Sequence, residues 1–268
     1  MITFPNIDPT AFSLFGIDIQ WYGIAYATGL LFGLLNAKRI LKKEEYLNSK
    51  LFDDLFLWIA IGTIIGGRVG YVIFYDFKYY LNNLILIILD IRKGGMSFHG
   101  GLLGVITATY IFSIKKNISF LKCMDVIACC APIGIFLGRL SNFINSELWG
   151  KPTLVPWGIV FPNGGIEARH PSQIYEALLE GMILFIVLNH LYKKKYMISG
   201  YCASLFLVLY GFFRTFIEFF REPDAHVGYL ISNYITTGMA LSIPMIILGL
   251  FIFFKVNAKF RNIIKENY

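Results

Sequence analysis

The sequence predicts an all-α integral membrane protein. It has about seven transmembrane helices, the N-terminus periplasmic (outside), the C-terminus cytoplasmic, and a small outer head segment. Three observations predict this. The 268 residues have a mean hydropathy of +0.61 and only 15% are charged, whereas soluble domains run near a quarter charged. Apolar stretches of roughly 20 residues, the length that crosses a bilayer as a helix, recur along the chain. Lys and Arg gather in alternate connecting segments, as a chain threading back and forth requires. The net charge of +7 is thereby assigned to orientation and to anionic lipid headgroups, not to nucleic acid. The expected organisation is one polytopic domain, residues 1–268, with an outer arm at 1–19 and an outer head at about 145–172.

Residues 1–19 carry Pro5, Asp8, Pro9 and Asp18 but no Lys or Arg, which places the arm outside the cytoplasm. The first basic residue is Lys38, so the first span, about 20–37, is expected to insert uncleaved. Trp21 and Tyr22 mark its outer end. The basic segment from Lys38 to Lys50 is cytoplasmic. A second span, about 52–75, contains Gly62, Gly66, Gly67 and Gly70, spaced for close helix contact, with Arg68 among them. Within 76–93 the apolar run Leu84–Leu89 is too short to cross, so an interfacial helix is expected. Further spans are expected at about 96–114, 123–143, 172–192, 199–220 and 231–254. Pro132 predicts a kink in the fourth, and Ser172 is placed to cap the fifth. Pro152, Pro156, Pro162, Gly164 and Gly165 fill the polar head.

Chemistry concentrates where the fourth span ends. Gly138-Arg139-Leu140-Ser141-Asn142-Phe143-Ile144-Asn145-Ser146-Glu147-Leu148-Trp149-Gly150 follows a run that reads as hydrocarbon-soluble. Arg68, Arg139, Arg214 and Glu218 lie in or near spans, where each costs about 2.5–3.5 kcal/mol at a helix centre. They must line an interior cavity or the interface. Tyr210, Arg214, Glu218 and Arg221 share one helical face, as do Arg139 and Asn142. Turned toward each other, these faces make a pocket suited to a phosphate. Plainer readings stand beside this one. Arg214 and Glu218 can neutralise each other, Arg68 can bind backbone carbonyls at a helix contact, and Tyr22 can be an interfacial belt residue. Arg169, Glu222 and Asp224 read as a solvated rim. Cys123, Cys129, Cys130 and Cys202 all lie in apolar runs and read as packing residues. The four histidines show no metal-ligand spacing, so no metal site is expected. His99 is flanked by glycines, and an imidazole of ordinary pKa, about 6.5, suits proton transfer. These residues fit a lipid-modifying enzyme, and nearly as well a lipid or anion transporter with an arginine-lined, outward-facing cavity. The absence of an internal repeat weakens the second.

Several blocks carry a resemblance. Gly94-Gly95-Met96-Ser97-Phe98-His99-Gly100-Gly101, the Gly138–Gly150 stretch and His170-Pro171-Ser172-Gln173-Ile174-Tyr175-Glu176 are three of them. Tyr210–Arg214 with Glu218–Asp224, Trp21-Tyr22-Gly23 and Gly66–Tyr71 complete the set. In order and in content they resemble the bacterial prolipoprotein diacylglyceryl transferases. The resemblance implies transfer of the diacylglyceryl group of phosphatidylglycerol to the lipobox cysteine thiol of a prolipoprotein signal peptide. A thioether forms and glycerol 1-phosphate leaves, without metal or cofactor. It implies a multi-pass protein of the bacterial cytoplasmic (inner) membrane with its active site toward the periplasmic side. Tyr22, His99, Arg139, Asn142, Glu147, Gly150 and Arg214 fall in the motifs tied to activity. Arg139 is the implied phosphatidylglycerol-binding arginine, with Arg68 and Arg214 also expected at the phosphate. Asn142 and Glu147 are expected to orient headgroup hydroxyls. His99 is the preferred thiol base, with Tyr210 or Glu218 as alternative proton relays.

Overall fold

A computed structural model describes residues 2–5, 7–43, 49–74, 77–90, 95–195, 198–223, 229–231 and 235–266. Expectations resting on Gly94, Asp224 and part of the basic segment after Lys38 lie outside these residues. The chain starts with strand β1 (Ile2–Thr3) and the hairpin of β2 (Thr10–Leu14) and β3 (Ile17–Gln20), so the arm is folded. Phe15 and Gly16 both take positive φ, 51° and 78°, as a two-residue hairpin turn requires. Helices α1 (Trp21–Ile40), α2 (Ser49–Phe74), α3 (Phe77–Asn82), α4 (Leu86–Leu89), α5 (Phe98–Lys116) and α6 (Phe120–Ile144) follow. The expected interfacial helix at the Leu84–Leu89 run is thus shortened to α4 and is separated from α3 by Asn83 and a turn at Leu84 and Ile85.

Strand β4 (Ile159–Val160) pairs in parallel with β1. Next come α7 (Ser172–Glu176), a π-helical stretch at Ala177–Ile183, α8 (Leu184–Lys195) and α9 (Tyr201–Ile217). The last elements are β5 (Tyr229–Ile231), β6 (Ile235–Thr236) and α10 (Thr237–Glu266). The final span therefore begins later than its expected start near residue 231, because Tyr229–Ile231 is used in a hairpin. Four described segments are long and apolar enough to cross a membrane: Lys50–Ile73, Phe120–Ile144, Ser172–Lys194 and Thr237–Phe260. Three more helices, α1, α5 and α9, have 20, 19 and 17 residues. Large apolar side chains point outward along these helices, among them Ile61 and Ile65 of α2 and Ile247, Phe251 and Phe254 of α10. Such surfaces suit lipid and would be a liability in water.

Contacts group the chain into two units, Leu41–Met124 and Met1–Ile40 with Asp125–Tyr268. The first unit is built on α2 against α5. A Cβ on Gly62 would sit 2.6 Å from the Gly104 carbonyl oxygen and 2.7 Å from Ala108 Cβ, and one on Gly70 would sit 2.7 Å from Gly100 Cα. A Cβ on Gly66 would overlap the Gly100 carbonyl oxygen. The glycine spacing seen in the sequence is therefore a backbone-to-backbone contact.

In the second unit, α1, α6 and α8 share buried amides. Asn36 Nδ2 donates to Asn189 Oδ1 at 2.9 Å, and Asn189 Nδ2 donates to the Cys129 carbonyl at 2.9 Å. Asp125 is buried and accepts from the Gly200 and Ala203 amides at 2.6 and 2.8 Å, capping α9. Cys123, Cys129 and Cys202 are buried.

Candidate active site

The end of α6 presents Arg139 and Asn142, one helical turn apart. The helix running from Ser172 presents Glu176 and Glu180. Gly181 allows that approach, since a Cβ there would lie 2.8 Å from Phe136 Cα of α6. Helix α9 presents Tyr210 and Arg214, and its C-terminal end adds Glu218 and Arg221.

These residues converge. Arg139 Nε lies 3.1 Å from Glu176 Oε2, and its Nη2 lies 3.6 Å from Glu180 Oε2. Arg214 Nη1 lies 2.5 Å from Glu176 Oε1 and 3.9 Å from Glu180 Oε1, while its Nη2 lies 2.5 Å from Glu218 Oε1. Arg221 Nη1 is 3.6 Å from Glu176 and 3.8 Å from Glu218. Arg139 and Arg214 therefore face one another across two shared carboxylates. The pairing of Arg214 with Glu218 along one helix, the plain reading of that pair, is also present. Glu176 and Glu180 are wholly buried, whereas the side chains of Arg139 and Arg214 keep 19% and 12% exposure. The accessible side of the cluster is thus its guanidinium side. Tyr210 lies in the field of Glu180, Arg139 and Arg214. Its ring stacks on Phe206 at 5.5 Å. Gly238 of α10 closes another side, where a Cβ would collide with the Glu218 carboxylate and lie 3.2 Å from Arg214 Nε.

Beyond Arg139 the chain leaves α6 in a tight turn. Ser146 and Leu148 take φ of 52° and 58°, a left-handed conformation that is costly for a non-glycine residue. Buried side chains hold the turn. Gln173 Nε2 donates to the Glu147 carbonyl at 2.6 Å, and the Ser172 hydroxyl donates to the Leu148 carbonyl at 2.9 Å. Ser172 therefore braces this turn and does not cap its own helix, correcting the expectation for it. Asn142 Nδ2 donates to Glu147 Oε1 at 2.8 Å. Gly150 is packed so closely that a Cβ would sit 2.5 Å from the Phe220 carbonyl oxygen and 2.6 Å from His170 Cβ. Its amide donates to the His170 carbonyl at 2.8 Å.

Of the expected solvated rim, Glu222 is exposed as expected, but Arg169 is corrected. Arg169 Nε donates to the Gly164 carbonyl at 2.7 Å, its Nη1 donates to the Gly150 carbonyl at 3.2 Å, and it pairs with Glu222. Arg169 ties the head segment together, because the carbonyls of a compact loop need a buried donor. The neighbouring His170 is partly buried, which pushes its imidazole pKa down.

Tyr22 stands at the start of α1, 3.3 Å from the Tyr26 hydroxyl and within electrostatic reach of Glu147 and Arg139. His99 and Arg68 belong to the first unit. His99 is exposed in the first turn of α5, where the Ser97 hydroxyl accepts from the Gly100 amide at 3.3 Å. Arg68 is buried. Its guanidinium donates to the carbonyls of Ile87, Gly95 and Leu86 at 2.6, 3.1 and 3.2 Å and to the Tyr80 hydroxyl at 3.1 Å. This is the backbone-binding alternative the sequence left open, and it corrects the expectation that Arg68 is held ready for a phosphate.

Sequence reasoning missed Glu176 and Glu180, the carboxylates that join the two arginines. Their signal was present: two acids, one turn apart, inside a span otherwise apolar. The rule that singled out Arg214 applies to them equally.

Fold and site together define a helical membrane protein with a buried, arginine-rich ion-pair cluster opening on its guanidinium side. The family model for prolipoprotein diacylglyceryl transferase matches residues 9–255, and the chain belongs to that family. It is 49% identical over 248 residues to the phosphatidylglycerol–prolipoprotein diacylglyceryl transferase of Idiomarina loihiensis, covering 92% of each chain. The protein of the same name from Allorhizobium ampelinum is 44% identical, over 93% of this chain and 90% of its own. That from Nitratidesulfovibrio vulgaris DP4 is 45% identical, over 94% and 95%.

Proposed function

We propose that this protein transfers the diacylglyceryl group of phosphatidylglycerol to the lipobox cysteine thiol of a prolipoprotein. It does so as a single polytopic domain of the bacterial cytoplasmic membrane. The seven long helices, counting Ser172–Lys195 as one, cross the membrane with the N-terminus outside and the C-terminus inside, and the site faces outward. The sulfur loses its proton, attacks the glyceryl carbon and displaces the phosphate oxygen. Glycerol 1-phosphate departs with the electron pair of the broken C–O bond. A thiol of ordinary pKa, about 8.5, needs a base or a positive field for this at neutral pH. His99 is the proposed base, with Tyr210 or Glu218 as alternative relays. Arg139 and Arg214 hold the phosphate and neutralise its growing charge as it leaves. Tyr22, Asn142 and Glu147 position the headgroup, and Gly150 lets the chain close behind it. No metal or cofactor enters the proposed reaction.

The observation that carries the reading is the convergence of Arg139 and Arg214, both still accessible, on shared buried carboxylates. Family membership favours transfer over the transporter alternative. The test is incubation of purified protein with phosphatidylglycerol and a lipobox peptide, followed by mass spectrometry. The diacylglyceryl mass on cysteine is expected. Lipid flux across sealed vesicles with no covalent product would refute the reading.

A further inference from the structure

The buried cluster contains three guanidinium groups, Arg139, Arg214 and Arg221, and three carboxyl groups, Glu176, Glu180 and Glu218. With all six ionised it is neutral. A phosphodiester arriving at Arg139 and Arg214 adds one negative charge to a nearly dry site, and an uncompensated buried charge is strongly unfavourable. Something must offset it.

The three carboxyl groups are not held equally. Glu176 touches all three arginines, at 2.5, 3.1 and 3.6 Å. Glu218 lies 2.5 Å from Arg214 and 3.8 Å from Arg221. Glu180 has only the longer contacts of 3.6 and 3.9 Å. Neither of its oxygens accepts a hydrogen bond, although its side chain is completely buried. It also sits on the π-helical stretch, and such stretches in other proteins frequently mark functional positions. The charged and titratable groups facing it are Arg139 from α6, Tyr210 and Arg214 from α9, Arg221 beyond α9, and Glu176 on its own helix. Its two arginine neighbours are the pair proposed to receive the phosphate.

Building on the proposed function, we propose that Glu180 is a proton-loading carboxyl. It binds a proton when the phosphodiester of an anionic lipid docks on Arg139 and Arg214, so that lipid enters without adding net charge. Glu180 acts here as a positioning residue, leaving the positive charge of the two guanidinium groups to the phosphate by giving up its own negative charge beside them.

The test uses the full-length protein in detergent with dioctanoyl phosphatidylglycerol as probe. Proton uptake is read with an indicator dye in weak buffer, and lipid affinity is measured across pH. Wild type is expected to take up about one proton per lipid bound. Its affinity is expected to fall about tenfold per pH unit between the pKa of Glu180 in the empty site and its higher pKa in the occupied site. Glu180→Gln, already neutral, is expected to bind with no uptake and no pH slope. Absence of uptake in wild type, or a Glu180→Gln protein that keeps the wild-type slope, would overturn the proposal. If the glutamine variant does not fold, Glu180→Asp serves instead. It should keep the uptake but move the pH window, and an unmoved window counts against Glu180. Peptide lipidation by wild type is assayed in parallel. Its failure removes the transferase reading, while the proton count still decides the role of Glu180.

Discussion

The α2–α5 contact and the arginine–glutamate cluster both join helices inside an apolar protein, by opposite means. Gly62, Gly66 and Gly70 meet Gly100 and Gly104 with almost nothing between the backbones. Arg139, Arg214 and Arg221 meet Glu176, Glu180 and Glu218 through the ends of long side chains. The first contact is made by removing atoms, so it tolerates no added carbon. The second is made by charge, so it tolerates a change of shape better than a change of charge count. A hydrocarbon solvent allows both, since neither contact relies on expelling water. Only the second leaves groups that a ligand can engage.

Substitutions can break this contrast or sharpen it. The largest effect is expected from Glu176→Ala, which strips the shared carboxylate from three arginines and should cost about 3–5 kcal/mol in unfolding free energy. Glu176→Gln, which keeps the shape, separates charge from packing, and an equal loss would show that charge count is decisive. Arg139→Ala should lower transfer by about 10²–10³-fold, read as lipidated peptide per minute on protein confirmed to be folded. Unaltered transfer would remove Arg139 from the site. In the glycine contact, Gly66→Ala should lower stability by about 1–3 kcal/mol in a thermal melt, with transfer changing only in proportion to folded protein. A lower turnover in the fully folded fraction would show that this contact does more than hold two helices together. Asp125→Ala should cost about 1 kcal/mol by uncapping α9. Asn36→Leu, at the amide network, should cost about 0.6 kcal/mol, and a loss several times larger would mean that neutral polar contacts here rival the ionic ones.

Much of this was legible in advance. Every long helix coincides with an apolar stretch, because in a bilayer length and hydropathy leave the backbone little alternative to a helix. Arg139, Asn142 and Arg214 stood out because a polar group in such a stretch demands an explanation. Arg169 was misread because a charge in a loop ordinarily finds water, and nothing local shows that Gly150, Gly164 and Glu222 fold around it. Arg68 was ambiguous for a related reason. Its four acceptors span Tyr80 to Gly95, and pattern alone does not reveal which carbonyls a chain will turn inward.

The amino-acid order by itself determined a helical membrane protein, the family it belongs to, and which turns carry expensive polar groups. Those follow from composition, periodicity and motif, which are local properties. Which charges become partners was decided only in three dimensions. Glu176 lies 37 residues after Arg139 and 38 before Arg214, and its carboxylate meets both only because Gly181 lets its helix close on α6. Ion pairing depends on distance through space, and the fold sets that distance.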